Sequence, residues 1–179
     1  MTQAGTVYGE ALYSLCLEEK ITESVLQQLQ VPQQSFDTEP DYLRLLAAPS
    51  LSKEERCQIL DQAFRDQVHI YVLNFLKILT EKGYIRYFGD CCKAYLALYH
   101  KDNGILPVTA VTAIALTQLQ CHRLEEKLAS ITGKTIQLHN KVDPAVLGGI
   151  RLDFDGKRMD DTIAHRLDSL RNLLQNTVL

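Results

Sequence analysis

No stretch of this 179-residue sequence approaches 18 uninterrupted apolar residues, so nothing in it reads as a membrane span. The first residues, Met1-Thr2-Gln3-Ala4-Gly5, hold no basic segment leading into an apolar run, and no secretory signal is read there. CxxC is absent. The five cysteines, Cys16, Cys57, Cys91, Cys92 and Cys121, are odd in number and two are adjacent. Free thiols in a reducing compartment fit that pattern better than a disulfide framework. A basic excess is missing too. Residues 1–104 hold 10 Lys/Arg against 14 Asp/Glu, a net of −4, and residues 105–179 hold 9 against 8, a net of +1. Neither part could neutralise a phosphate backbone, which argues against nucleic acid as a partner. What is present is ordinary globular material. Apolar residues make up 46% and charged residues 23%, enough for a core and too apolar for whole-chain disorder.

Catalytic and cofactor patterns are equally scarce. Gly133-Lys134-Thr135 matches the end of a phosphate-binding loop, but Leu128 stands where the loop needs its first glycine, so a helix C-cap followed by a strand is the better reading. Asp153-Phe154-Asp155-Gly156 lacks the further acidic ligands of a calcium loop and reads as a hairpin turn. His69, His100, His122, His139 and His165 form no HxxxH or HExxH pair, and no GxSxG occurs. Glu125-Glu126 and Asp160-Asp161 are adjacent acids that point about 100° apart on a helix and share no site. The expectation is no catalytic residue, no cofactor and no metal.

The first part reads as helices. Tyr8, Ala11, Leu12, Leu15 and Cys16 follow helical spacing. A second helix covers 21–29, with Pro32 and the polar segment 33–40 expected to break it. A third spans about 42–46. A fourth opens at Ser52, where Glu55 three residues on completes a capping box. The fifth, about 68–81, carries the stripe Val68, Tyr71, Val72, Phe75, Leu76 and Leu79, while Ile70, Leu73 and Ile78 lie mostly outside it. Apolar residues on more than one side mean a central helix or one covered by another molecule. Gly83 ends it. A sixth covers about 85–100, with Phe88, Cys92, Tyr95, Leu96 and Tyr99 inward.

The pattern then changes. Residues 105–114 are β-branched and read as a strand, 116–132 as an amphipathic helix, 135–139 and 149–154 as alternating strands, and Asp155-Gly156 as a hairpin turn leading to a short strand near Met159. A last helix is capped at Asp161 or Thr162, with Ile163, Leu167, Leu170, Leu173 and Leu174 apolar. The fold expected is an all-α six-helix bundle over residues 1–104 followed by a small α/β domain over 105–179.

The run Lys141-Val142-Asp143-Pro144-Ala145-Val146-Leu147-Gly148-Gly149-Ile150-Arg151-Leu152 is the most specific stretch. Before it comes Gly133-Lys134-Thr135, and after it Asp161-Thr162-Ile163-Ala164-His165-Arg166-Leu167-Asp168-Ser169-Leu170. Together these resemble the delta subunit of F-type ATP synthase, the bacterial counterpart of the mitochondrial oligomycin-sensitivity-conferring protein. Tyr8-Gly9-Glu10-Ala11-Leu12 is similar to that family's first helix, and residues 74–83 to its fifth. Gly9-Glu10 departs from the family's usual Ala and basic residue, and Ala115-Leu116 lacks its proline.

The resemblance implies a non-catalytic peripheral-stalk subunit at the cytoplasmic face of a bacterial membrane, without insertion into it. The helical part would grip the N-terminal helix of an alpha subunit on the catalytic head. The α/β part would hold the C-terminal ends of the b subunits, so that the head resists the torque of the rotor. A helix-in-groove contact would set Tyr8, Ala11, Leu12 and Leu15 on one wall and Ile70, Asn74 and Ile78 on the other. The same residues could instead pack the first and fifth helices together. Gly148 and Gly149 read first as fold determinants, allowing a bulge or close approach at a strand start. Arg166 and Arg171 on the last helix would face b. Two other readings stay open: a helical adaptor unrelated to ATP synthase, and a small enzyme with a nucleotide pocket in the α/β part.

Overall fold

The computed structural model describes residues 2–48, 51–163 and 165. Among these the helices are α1 Gln3–Glu18, α2 Thr22–Thr38, α3 Pro40–Leu46, α4 Lys53–Phe64, α5 Ile70–Glu81, α6 Phe88–Asp102 and α7 Gln118–Thr132. The strands are β1 Ile105–Thr112, β2 Thr135–Val142, β3 Ile150–Phe154 and β4 Lys157–Asp160, and single 3-10 turns occupy Ile85–Tyr87 and Pro144–Val146. The protein is thus mostly helical with one small four-stranded sheet. It divides into two compact units, Met1–Tyr99 and His100–Leu179.

In the first unit, one core gathers residues from α1 to α6, with Leu12, Val25, Leu29, Phe36, Leu60, Phe64, Val72, Leu76, Phe88 and Tyr95 all sealed. Three expectations are corrected. First, α2 does not stop at Pro32 but runs on to Thr38. A proline inside a helix costs about 3 kcal/mol. Ending the helix there would strand Phe36, which is buried against the rings of Phe64 and Phe88. Burying one such side chain is worth about 1.5–3 kcal/mol, and side-chain bonds from Ser35 Oγ to the Val31 carbonyl and from Gln33 Nε2 to Asp37 hold the turn around the proline.

Second, α5 starts at Ile70, with His69 as its cap and Leu73 in the core rather than off the stripe. Its other end is a Schellman motif: Gly83 N–H donates to the Thr80 carbonyl and Tyr84 N–H to the Leu79 carbonyl. Third, α6 is turned by part of a turn from the expected phase. Cys91, Ala94 and Tyr95 face inward, while Leu96 is exposed and Cys92 half-buried. The cause is α1. A Cβ on Gly9 would sit 2.5 Å from the Cys91 carbonyl oxygen and 2.8 Å from Ala94 Cβ, and one on Gly5 would sit 2.5 Å from Asp90 Cβ. The two glycines, one turn apart, let α1 lie directly on the backbone of α6. Asp90 completes the seat by accepting Thr2 N–H at 2.7 Å, a bond that holds its pKa below the usual carboxylate range.

In the second unit the strand order is β2-β1-β3-β4. β1 and β2 are parallel, joined by α7 as the crossover, and β3 and β4 are antiparallel additions. Leu106, Val108, Ala110 and Leu152 form the core of this unit, with Leu124 and Leu128 of α7 packed against it. The helix begins two residues later than the periodicity suggested. Thr117 is its cap, in a capping box with Gln120, and Leu116 N–H donates to Asn140 Oδ1. β1 ends at Thr112, not at Ile114, because Thr112 Oγ1 turns to the Ile114 carbonyl and closes the loop. Gly133 caps α7 at φ 68°, and Asp155-Gly156 make the hairpin turn with φ of 47° and 70°.

Candidate functional site

α5 is sealed on one side and apolar on the other. Val72, Leu73, Phe75, Leu76, Leu79 and Thr80 are buried, while Ile70, Asn74 and Ile78, each one turn from the last, lie on the opposite side. Ile70 is 54% exposed and Ile78 46%. Burial of that many residues along one side leaves no core position for them. Lys77 beside the stripe reaches back to Asp61 of α4 at 2.6 Å, which fixes α5 on its neighbour.

On α1, Ala11 is exposed, Leu15 is 41% exposed and Tyr8 is half-buried. Leu12 does not join them. At 5% exposed it belongs to the core with Tyr13 and Cys16, so of the residues expected on this wall it is the one packed inward. Val7, 56% exposed and one turn before Ala11, extends the outer stripe. Its i, i+4 spacing with Ala11 and Leu15 was the signal that could have found it. The Tyr8 ring meets that of Tyr84 with centroids 5.6 Å apart, and Tyr84 in turn meets Tyr87 at 6.2 Å. This brings the first turns of α1 beside the segment that follows α5. Tyr84 and Tyr87, both exposed, carry no helical period, and sequence patterning had no means of marking them.

Gly148 and Gly149 belong to the second unit. Gly149 adopts φ 81°, and a Cβ there would stand 2.5 Å from the Asp161 carbonyl oxygen. A Cβ on Gly148 would meet Ile163 Cδ1 at 2.8 Å. Ile163 N–H donates to the Gly148 carbonyl and Asp161 N–H to the Ile150 carbonyl. The glycine pair is therefore the floor on which the chain beyond β4 is laid. Asp160 Oδ1 accepts from Thr162 Oγ1 at 2.6 Å and from Thr162 N–H at 3.1 Å, which keeps the Asp160 pKa below its ordinary value. Thr162 Oγ1 accepts His165 N–H, making Thr162 a cap. The expected faces of Arg166 and Arg171, and the stripe from Leu167 to Leu174, lie outside the described residues.

Among the described residues no group of three or more His, Cys, Asp or Glu is placed to hold a metal ion, and no helix is long and apolar enough to cross a membrane. Exposed apolar stripes on a rigid helical frame are the mark of a protein that docks other proteins. The family model described as ATP synthase delta (OSCP) subunit matches residues 5–174. A protein of Alkaliphilus oremlandii named ATP synthase subunit delta is 31% identical over 172 residues, 96% of either chain. One of the same name from Clostridioides difficile is 30% identical over 172 residues, covering 96% of this chain and 95% of that one. A chain in the cryo-EM structure of the Toxoplasma gondii mitochondrial ATP synthase hexamer shares the fold, with a TM-score of 0.75 at 18% identity over 98% of both chains. This chain belongs to the ATP synthase delta (OSCP) subunit family. It is a structural component of the peripheral stalk and not a catalyst, and the reading as an unrelated adaptor falls away.

Proposed function

We propose that α1–α6 act as a six-helix bundle whose α1/α5 face grips the N-terminal amphipathic helix of an alpha subunit. The α/β unit then holds the C-terminal ends of the b subunits, at the cytoplasmic face of a bacterial membrane. The observation that carries this reading is the exposed stripe Ile70, Asn74 and Ile78 on a helix whose other side is already filled. Ala11 lets a partner helix approach closely, Leu15 and Tyr8 supply apolar area, and Leu12 supports the wall from inside. The first 104 residues carry a net charge of −4, which suits a basic partner helix. On the α/β unit, Ile114, Val142 and Leu147 leave aliphatic surface exposed for a helical partner. Bridging head to stalk in this way holds the head still while the rotor turns.

The test is a calorimetric titration of the full chain with a basic amphipathic peptide of alpha-subunit N-terminal type. A saturable high-affinity phase of one peptide per chain is expected. Ile78→Asp should remove it while shifting the unfolding free energy by less than about 1 kcal/mol, since the side chain is half in solvent. An unfolded Ile78→Asp variant, or unchanged binding, would refute the groove.

A further inference from the structure

Between α2 and α3 lies an open cleft of about 810 Å³, away from the stripe on α5 and not used by the function proposed above. Its apolar lining is Val31, Tyr42 and Leu45, with Leu45 43% exposed. Its polar rim includes Ser35, Glu39 and Asp41. The electrostatics around it are one-sided. Its lining holds two carboxylates, Glu39 and Asp41, and no lysine or arginine. Arg44 pairs with Asp41 at 2.8 Å, but both side chains are at least 80% exposed, so solvent screens the pair heavily. The cleft opens where α2 ends at Glu39 and α3 begins from the same residue, so the two helix ends offset each other and the carboxylates set the charge. Tyr42 is held from behind by tilted ring contacts with Phe36 and Phe64.

We propose that this cleft is a second docking site, for a segment of another polypeptide that carries a lysine or arginine between apolar residues. The apolar residues would fill the space over Val31, Tyr42 and Leu45. The cation would meet Glu39 and Asp41. An acidic segment would meet like charge on the rim and is refused. A charged occupant of this kind binds less well as salt rises, because the rim is in solvent.

The experiment is an NMR titration of the ¹⁵N-labelled full chain. One probe is an acetylated, amidated helical peptide of leucine, alanine and arginine, and the other is its counterpart with glutamate for arginine. The basic peptide should move the amides of Val31, Ser35, Glu39 and Leu45, and the acidic one should not. Glu39→Lys and Leu45→Asp should each weaken the basic peptide by about tenfold or more, the equivalent of about 1.4 kcal/mol. Glu39 joins the end of α2 to the start of α3 with no side-chain cap bond, and both side chains are exposed, so neither variant should unfold the chain. In the Ile78→Asp chain, where the α1/α5 face is disabled, the α2 and α3 amides should still shift with a midpoint within about twofold, which separates this cleft from that face. No shifts in α2 and α3, equal binding of both peptides, or loss of the signal with Ile78→Asp would each overturn the proposal.

Discussion

Gly149 carries more of the second unit than its size suggests. It holds a left-handed φ that other residues adopt at about 1–2 kcal/mol, and any Cβ would press on the backbone oxygen of Asp161, which cannot swing aside. Gly148 faces instead the tip of the flexible Ile163 side chain. Gly149→Ala is therefore expected to destabilise the protein by about 2–4 kcal/mol and Gly148→Ala by clearly less, as read from urea unfolding followed by circular dichroism. Asp160 sits at the other edge of the same floor. Its folded pKa lies below the unfolded one because the Thr162 hydroxyl and N–H donate to it. The stabilisation it gives is complete above the ordinary carboxylate pKa of about 3.9 and fades as pH falls through that value and below. Asp160→Asn should lower the melting temperature at pH 6, and the gap to the natural protein should narrow at pH 3. A constant gap would show that charge plays no part. The glycine pair reads as a fold determinant in the sequence because glycine allows a bulge or close backbone approach at a strand start. What Asp161 and Ile163 do there is not legible, since neither contact is local in the chain.

At the scale of elements, α7 depends on its ends. None of its residues is fully buried, so the helix draws less on packing than α5 does and more on the capping box of Thr117 with Gln120 and on the Gly133 cap. Thr117→Ala should cost about 1 kcal/mol, seen as a loss of helix signal and a lower denaturant midpoint. Helix ends set by local chemistry were readable: Ser52 with Glu55, Gly83 and Gly133 all stand where the sequence placed them. Ends that answer to distant groups were not. Pro32 should break a helix on propensity alone, and the buried ring of Phe36 keeps α2 intact past it. The phase of α6 followed from two glycines some 85 residues away in sequence, at Gly5 and Gly9, which no periodicity within α6 records.

For the whole molecule, the passage from helices to a mixed unit was written in composition, because β-branched runs and Asp-Gly turns have one period and amphipathic helices another. The family could be read from one run around Gly148-Gly149, and the match over residues 5–174 agrees. The apolar residues of α5 also announced themselves as too many for one face. The sequence alone determined which residues are greasy and how they recur along each helix, since that is local geometry. Only the tertiary structure decided which of them remain for a partner. Leu12 and Leu15 follow the same spacing on α1, yet Leu12 is sealed and Leu15 half in water, because burial is a property of the neighbours that close over a side chain and those neighbours come from other parts of the chain.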